Sequence, residues 1–265
     1  MKNIIVTGCS YSQKSGVTHP YPLLLKNYFK GNVTNLAWPG QSNDTIIRNV
    51  KEQIREGVSN TLFICQLTHL HRISHYCTLN KKWLDFQPAI VNSEPSIKDD
   101  KIFFEAKVYN AEEKRPSLGW GNTGGVSVYG AKKWKDVKLS EDIVNELMNW
   151  YDLYLTHLYD EENTFYELHH KIDELTEQVK HSGNDILYLY WPDIHYDYSL
   201  FSNNNFLSID GEYSMLKWSF QKGLTQQKQD THLSKIGHVE LLNELSRYIT
   251  LDNFDKKKLI GSNIF

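Results

Sequence analysis

Cysteine is scarce in this chain of 265 residues, with Cys9, Cys65 and Cys77 the only three. Three thiols cannot all pair, and two of them fall in or beside apolar runs that read as core strands. That argues against a disulfide-stapled scaffold and leads us to expect reduced thiols and a cytoplasmic setting. Long hydrophobic runs are missing too: no stretch approaches the length needed to span a membrane. Met1-Lys2-Asn3 runs straight into the first apolar run with no basic-plus-apolar leader, so neither a membrane partner nor a cleaved export signal is expected. An excess of charge is also lacking. With 29 Lys and Arg against 32 Asp and Glu, the formal net charge is −3, and no global field recruits nucleic acid or an anionic surface. Internal repeats and low-complexity tracts are absent. The length suits one large domain, or one domain with an insertion.

What is present begins at the first apolar run. Ile4-Ile5-Val6-Thr7 is followed at once by Gly8-Cys9-Ser10-Tyr11-Ser12. A β-branched run ending in small hydroxylated residues reads as a buried parallel strand closing on a sharp strand-to-helix turn. Ligands of open α/β sheets bind beyond the carboxyl ends of the strands. Ser10 is thus placed where a nucleophile would be exposed, near the positive end of the next helix. The alternative is a tight turn whose serines cap that helix.

Near the other end the chain reads Asp230-Thr231-His232-Leu233-Ser234-Lys235-Ile236-Gly237-His238, followed by an amphipathic run to Ile249. An Asp and a His in a loop before a helix can supply a general base and the group that orients it. A serine hydroxyl needs both: an imidazole to take its proton and an anion to fix the imidazole tautomer.

With these stretches in view, the chain resembles the SGNH (GDSL-like) hydrolases. Gly8-Cys9-Ser10-Tyr11-Ser12 is similar to their nucleophile block, and Asp230-Thr231-His232 with Gly237-His238 is similar to their last block. Asn35-Leu36-Ala37-Trp38-Pro39-Gly40-Gln41-Ser42 resembles the second block, whose glycine amide helps bind the oxyanion. The likeness covers about residues 1–75 and 184–250. Three positions depart from the pattern. Cys9 stands where an Asp is usual, and Asp230 precedes His232 by two residues rather than three. In Gln66-Leu67-Thr68-His69, Thr68 occupies the place of the usual oxyanion-binding Asn; its hydroxyl can donate one hydrogen bond. Loss of one such donor typically costs about 10²–10³ in rate.

Read in order, the chain alternates. A strand at about 3–7 leads to a helix over Tyr21–Phe29 with Leu23, Leu24 and Tyr28 on one face. A second strand, Val33–Ala37, precedes a helix from Thr45 to about Glu56, capped by Asn43-Asp44, with Ile46, Ile47, Val50 and Ile54 inward. Thr61–Gln66 is a third strand. A long helical stretch from Ser140 to about His181, broken near Asn163, places His169-His170 on a solvated surface. Asp185–Trp191 is the fourth strand, and residues 196–228 read as irregular. The last helix, roughly Lys235–Ile249, turns Ile236, Val239, Leu242 and Leu245 to the sheet. Such alternation predicts an α/β fold. The resemblance makes it a three-layer α/β/α, flavodoxin-like parallel sheet.

From about His69 to Ser140 the pattern breaks. Short strand-like pieces (Ile102–Val108, Val126–Tyr129) stand among prolines, and Trp120-Gly121-Asn122-Thr123-Gly124-Gly125 lacks the Lys-Ser/Thr ending of a phosphate loop. We expect a large irregular or β insertion at about 70–140 in a single domain of residues 1–265, serving as a lid or an interaction surface. His69, His71, His75 and Cys77 crowd one stretch, but zinc sites usually draw a second ligand pair from elsewhere, and none stands nearby. These histidines and Arg72 read as flanking a polar pocket, and neither metal nor cofactor is expected.

The resemblance therefore implies a serine esterase. Ser10 is the nucleophile, His232 the base and Asp230 its orienting partner. The Ser10 and Gly40 amides form the oxyanion hole, with Thr68 or Asn43 as side-chain donor. The implied substrate is a carboxylic ester of a small molecule or carbohydrate, such as an acetyl ester. The same groups could serve an acyltransferase, and the fold could serve a non-catalytic binding or assembly module.

Overall fold

The structure, a computed structural model, describes residues 3–13, 19–29, 32–38, 40–77, 82–89, 96–98, 101–104, 125–129, 146, 150, 153–192, 201, 205–227 and 230–249. In chain order the elements begin with β1 (Asn3–Thr7), α1 (Tyr21–Phe29), β2 (Asn32–Asn35), α2 (Asn43–Arg55) and β3 (Thr61–Leu67). Then come β4 (Ile73–Cys77), β5 (Lys82–Ala89), β6 (Ser96–Lys98), β7 (Lys101–Phe104) and β8 (Gly125–Tyr129). A π-helical turn over Tyr154–Leu158 precedes α3 (Glu161–His181), β9 (Asp185–Tyr190) and α4 (Met215–Gln221). The series ends with β10 (Thr225–Gln227), β11 (Asp230–Leu233) and α5 (Lys235–Ser246).

Contacts divide the chain into two units. One comprises Met1–Pro39, Ile46–His69 and Phe165–Phe265; the other comprises Gly40–Thr45 and Leu70–Thr164. The first unit is mixed α/β around a four-stranded parallel sheet in the order β2-β1-β3-β9. Apolar side chains explain the central strands: every residue of β3 is buried, and Ile64 pairs in register with both Val6 and Leu187. Such uninterrupted burial requires cover on both faces. The outer edge of β9 is occupied by the segment that follows it. Tyr188 donates its N–H to Asn205 O at 2.8 Å, and Leu207 N–H reaches Tyr188 O at 2.9 Å.

Helix phases differ from the sequence reading in both flanking helices. In α1 the buried residues are Tyr21, Pro22, Leu25 and Phe29, while Leu23 and Tyr28 are exposed. In α5 Gly237, His238, Leu241 and Leu245 face inward, and Ile236 and Val239 are exposed. A Cβ on Gly237 would lie 2.5 Å from Leu224 O, so the glycine lets this helix approach the backbone beside it. His169 is buried rather than solvated, its ring edge-on to Phe165 at 4.7 Å and near Phe201 at 5.2 Å. The helical stretch is interrupted at Tyr159-Asp160, ahead of Asn163, where Asp160 Oδ1 accepts the Asn163 N–H. Residues 205–227, read as irregular, contain α4 and β10.

The second unit carries a five-stranded antiparallel sheet, β4-β5-β8-β7-β6. The glycine-rich run Trp120–Gly124 lies outside the described residues. Asp85, in β5, is 3 % exposed, and its Oδ1 accepts three hydrogen bonds from the start of α2. They come from Ser42 N–H (3.2 Å), Ser42 Oγ (2.6 Å) and Thr45 Oγ (2.7 Å). Ser42 Oγ in turn accepts the Thr45 N–H at 3.3 Å, so Ser42 caps the helix rather than Asn43-Asp44. Removing the carboxylate takes the acceptor from the Ser42 N–H and hydroxyl, while Thr45 Oγ keeps Ser74 Oγ within reach at 3.3 Å. Asp85→Ala is therefore expected to destabilise this unit by on the order of 3 kcal/mol, and Asp85→Asn by less. Urea unfolding followed by tryptophan fluorescence measures both; equal stability of all three proteins contradicts the expectation.

No helix among the described residues is long and apolar enough to cross a membrane.

Candidate active site

The first β-strand delivers Ser10 to the carboxyl end of the parallel sheet. Beyond β1 the chain folds into tight turns, with Ser12 N–H on Cys9 O at 3.0 Å and Gln13 N–H on Ser10 O at 3.3 Å. The next helix, α1, begins only at Tyr21. Ser10 is thus not the residue that caps that helix, which corrects that alternative. The serine is partly exposed while its neighbours Cys9 and Tyr11 are buried.

A set of buried polar groups braces this loop. Gln66, near the end of β3 and 1 % exposed, accepts the Cys9 N–H at 3.1 Å and the Ser12 hydroxyl at 3.2 Å through Oε1. Its Nε2 donates to Leu67 O at 2.6 Å. Ser12 Oγ, donating to Gln66, is left to accept from Tyr21 Oη at 2.7 Å. Burial raises the Tyr21 phenol pKa, which keeps the phenol protonated for that role. From the second block, Asn35 Nδ2 donates to Ser12 O at 2.9 Å. Sequence reasoning gives Gln66, two residues before Thr68, no role. The signal that could have marked it is a single amide in an otherwise apolar buried run, because such a group has to find partners.

His232 comes from the far end of the chain. Asp230–Leu233 is not a loop but strand β11, antiparallel to β10, with Thr225 opposite Leu233 and Gln227 opposite Asp230. The register shifts between these two pairs, in the stretch that holds His232, and His232 Nε2 lies 2.9 Å from Ser10 Oγ across 222 residues of sequence. Both residues are partly buried. The backbone of Asp230 belongs to the same strand; its side chain lies outside the described residues. Thr68 is fully buried just past β3. The other two candidate donors fall in the second unit: Gly40 is buried with φ 79°, and Asn43 opens α2 at 6 % exposure.

A second histidine lies behind the first. His238 is 2 % exposed, and its Nδ1 accepts the Tyr21 N–H at 3.3 Å, so the ring's one proton resides on Nε2. Burial, with a smaller contribution from His232, lowers its pKa to about 4. The unfolded chain binds this proton near pH 6.5, so between about pH 6.5 and 4 the unfolded state holds more protons than the folded one. Stability is then undiminished above pH 6.5 and falls with acidification through that window, by on the order of 3 kcal/mol in all. Burial lowers His169 as well, and it adds loss in the same direction. Denaturant midpoints at pH 7 and 4.5 test this, with His238→Asn, whose amide oxygen can accept the Tyr21 N–H, losing less on acidification than wild type. Equal losses in the two proteins refute the assignment.

Among the described residues, no three His, Cys, Asp or Glu side chains converge as metal ligands would. Cys9 and Cys65 are buried free thiols, and burial pushes the Cys65 thiol pKa up, away from reactivity. No model of a known family matches this chain, and no curated protein matches it.

Proposed function

We propose that this chain is a serine-dependent carboxylic-ester hydrolase of the SGNH type. The observation that carries the reading is the 2.9 Å contact between His232 Nε2 and Ser10 Oγ. A base within hydrogen-bond reach of a hydroxyl, at the carboxyl end of a parallel sheet, is the arrangement an activated serine needs. The strand order β2-β1-β3-β9 supports the finer, flavodoxin-like description, since in chain order the four parallel strands lie 2-1-3-4.

In the proposed reaction Ser10 Oγ attacks the ester carbonyl carbon as its proton passes to His232 Nε2. The carbonyl π pair moves onto oxygen, where the Ser10 amide and the Thr68 hydroxyl act as donors. Collapse expels the alkoxide, which takes the proton from His232, and leaves an acyl-serine. Water, deprotonated by the same imidazole, attacks the acyl carbon; the bond from that carbon to Ser10 Oγ breaks, His232 returns the proton to Oγ, and the acid leaves. Asp230 holds the tautomer that presents a bare Nε2. The substrates proposed are small acyl esters, acetyl esters of carbohydrates among them, and no metal or cofactor enters the scheme.

Labelling with a fluorophosphonate probe tests this. Wild type is expected to form a covalent adduct at Ser10, and Ser10→Ala and His232→Ala none. A folded wild type that takes no label removes the catalytic reading. With labelling in hand, p-nitrophenyl acetate turnover with and without an added alcohol separates hydrolysis from acyl transfer.

A further inference from the structure

We propose that Tyr11 is a positioning residue for the general base, holding the face of the His232 imidazole so that Nε2 stays on Ser10. The inference rests on the functional reading above and deepens it.

Three aromatic rings form a column beside the nucleophile. The Tyr11 ring lies 4.7 Å from that of His232, tilted by 35°, and it stacks on Trp191 at 3.9 Å and 16°. His69 adds an edge contact at 6.4 Å. Tyr11 is 4 % exposed and Trp191 1 % exposed. Trp191 directly follows β9, and its carbonyl accepts the Leu216 N–H at 3.1 Å, so the column is anchored where the sheet ends and α4 begins. The Trp191 indole N–H is buried with no hydrogen-bond partner among the described residues.

This arrangement does two things for a base. An imidazole that hydrogen-bonds through one nitrogen can still swing about the bond joining it to Cβ; a ring packed on its face restricts that swing. When the imidazole takes the Ser10 proton it becomes a cation, and a tyrosine face within about 6 Å of a cation attracts it. The second effect arises only once the proton has moved, so it lowers the barrier rather than tightening ground-state binding. Tyr11 also follows Ser10 directly in the chain. The nucleophile and the support of its base are thus carried by one loop.

The test compares wild type, Tyr11→Phe and Tyr11→Leu, with Tyr11→Met replacing the last should it not fold. The rate constant for phosphonylation at saturating fluorophosphonate is expected to fall about 10-fold in Tyr11→Leu. Probe affinity should be unchanged, and Tyr11→Phe should stay within about threefold of wild type. In parallel, the His232 ring-proton NMR resonances report the ring current of residue 11. They should be displaced in wild type and Tyr11→Phe and relaxed in Tyr11→Leu. Labelling of wild type and Tyr11→Leu at equal rates, or His232 resonances indifferent to the substitution, overturns the inference while leaving Ser10 as nucleophile. Equal losses in Phe and Leu overturn it as well, since the hydroxyl and not the ring would then matter. A wild type that is never labelled is a different failure: it removes the functional reading and this role with it.

Discussion

Ser10→Ala, His232→Ala and the double variant are expected to fall to one common floor of ester turnover, on the order of 10⁶-fold below wild type. The reason is the single hydrogen bond between them, at 2.9 Å. An alanine at 10 leaves nothing to deprotonate, and an alanine at 232 leaves a hydroxyl far too weakly acidic to attack, so the second loss adds little to the first. Asp230→Asn should cost less, about 10⁴-fold, because it disturbs the tautomer and not the transfer itself. Steady-state turnover of p-nitrophenyl acetate, checked by active-site titration, measures all four. Independent, multiplying losses from Ser10 and His232 would mean that the two side chains do not act as one device. That result would sink the proposed mechanism even with each variant impaired.

The second large effect is expected from adding one methyl group. A Cβ on Gly8 would sit 2.8 Å from Gln66 Oε1, 2.9 Å from Gln66 Cβ and 2.9 Å from Ser12 Oγ. None of these can withdraw cheaply. Gln66 is held by Cys9 N–H on one side and Leu67 O on the other, and Ser12 by Gln66 and Tyr21. Overpacking of this kind costs about 1–3 kcal/mol. The strain relaxes by moving the loop that carries Ser10, and a displacement of about 1 Å at a reacting atom can lower the rate about 100-fold. Gly8→Ala should therefore lose both stability and phosphonylation rate. Adding Gln66→Ala to it should recover part of the stability, since the Oε1 contact leaves with the side chain while the contacts with Gln66 Cβ and Ser12 Oγ remain. Denaturant unfolding and labelling kinetics on the two single variants and the double close the cycle. A Gly8→Ala protein as stable and as reactive as wild type would show the loop to be looser than its contacts imply.

The sequence made some of this legible and hid the rest for physical reasons. Ile4-Ile5-Val6 and Leu62-Phe63-Ile64-Cys65 are fully buried apolar runs, and such runs have few structural uses besides a covered strand. Ser10 and His232 can be paired from the sequence because the groups flanking each resemble a known pattern. Helix phase was another matter. In α1 apolar residues occupy Tyr21 to Leu25 without a break, so periodicity cannot choose a face; packing chose Tyr21, Leu25 and Phe29. In α5 the inward stripe runs through Gly237 and His238, residue types that hydropathy assigns to the outside. The strand at Asp230–Leu233 was illegible because its order comes from a partner, Thr225–Gln227, and not from its own residues. Gln66 and Tyr11 were in view from the start, yet their roles depend on neighbours 57 and 221 positions away: the Cys9 amide for one and the His232 ring for the other.

The grip of Asp85 on Ser42 and Thr45 has a consequence for how α2 comes apart. The first residues of this helix belong to the unit that contains β5, and the residues from Ile46 onward belong to the unit built on the parallel sheet. The Ser42 amide has its acceptor on a strand rather than in the helix it caps, so its exchange with solvent deuterium is expected to follow the loss of Asp85 from that place. Where a helix begins, protection of its first amide is thus lent by a carboxylate more than forty residues further along the chain.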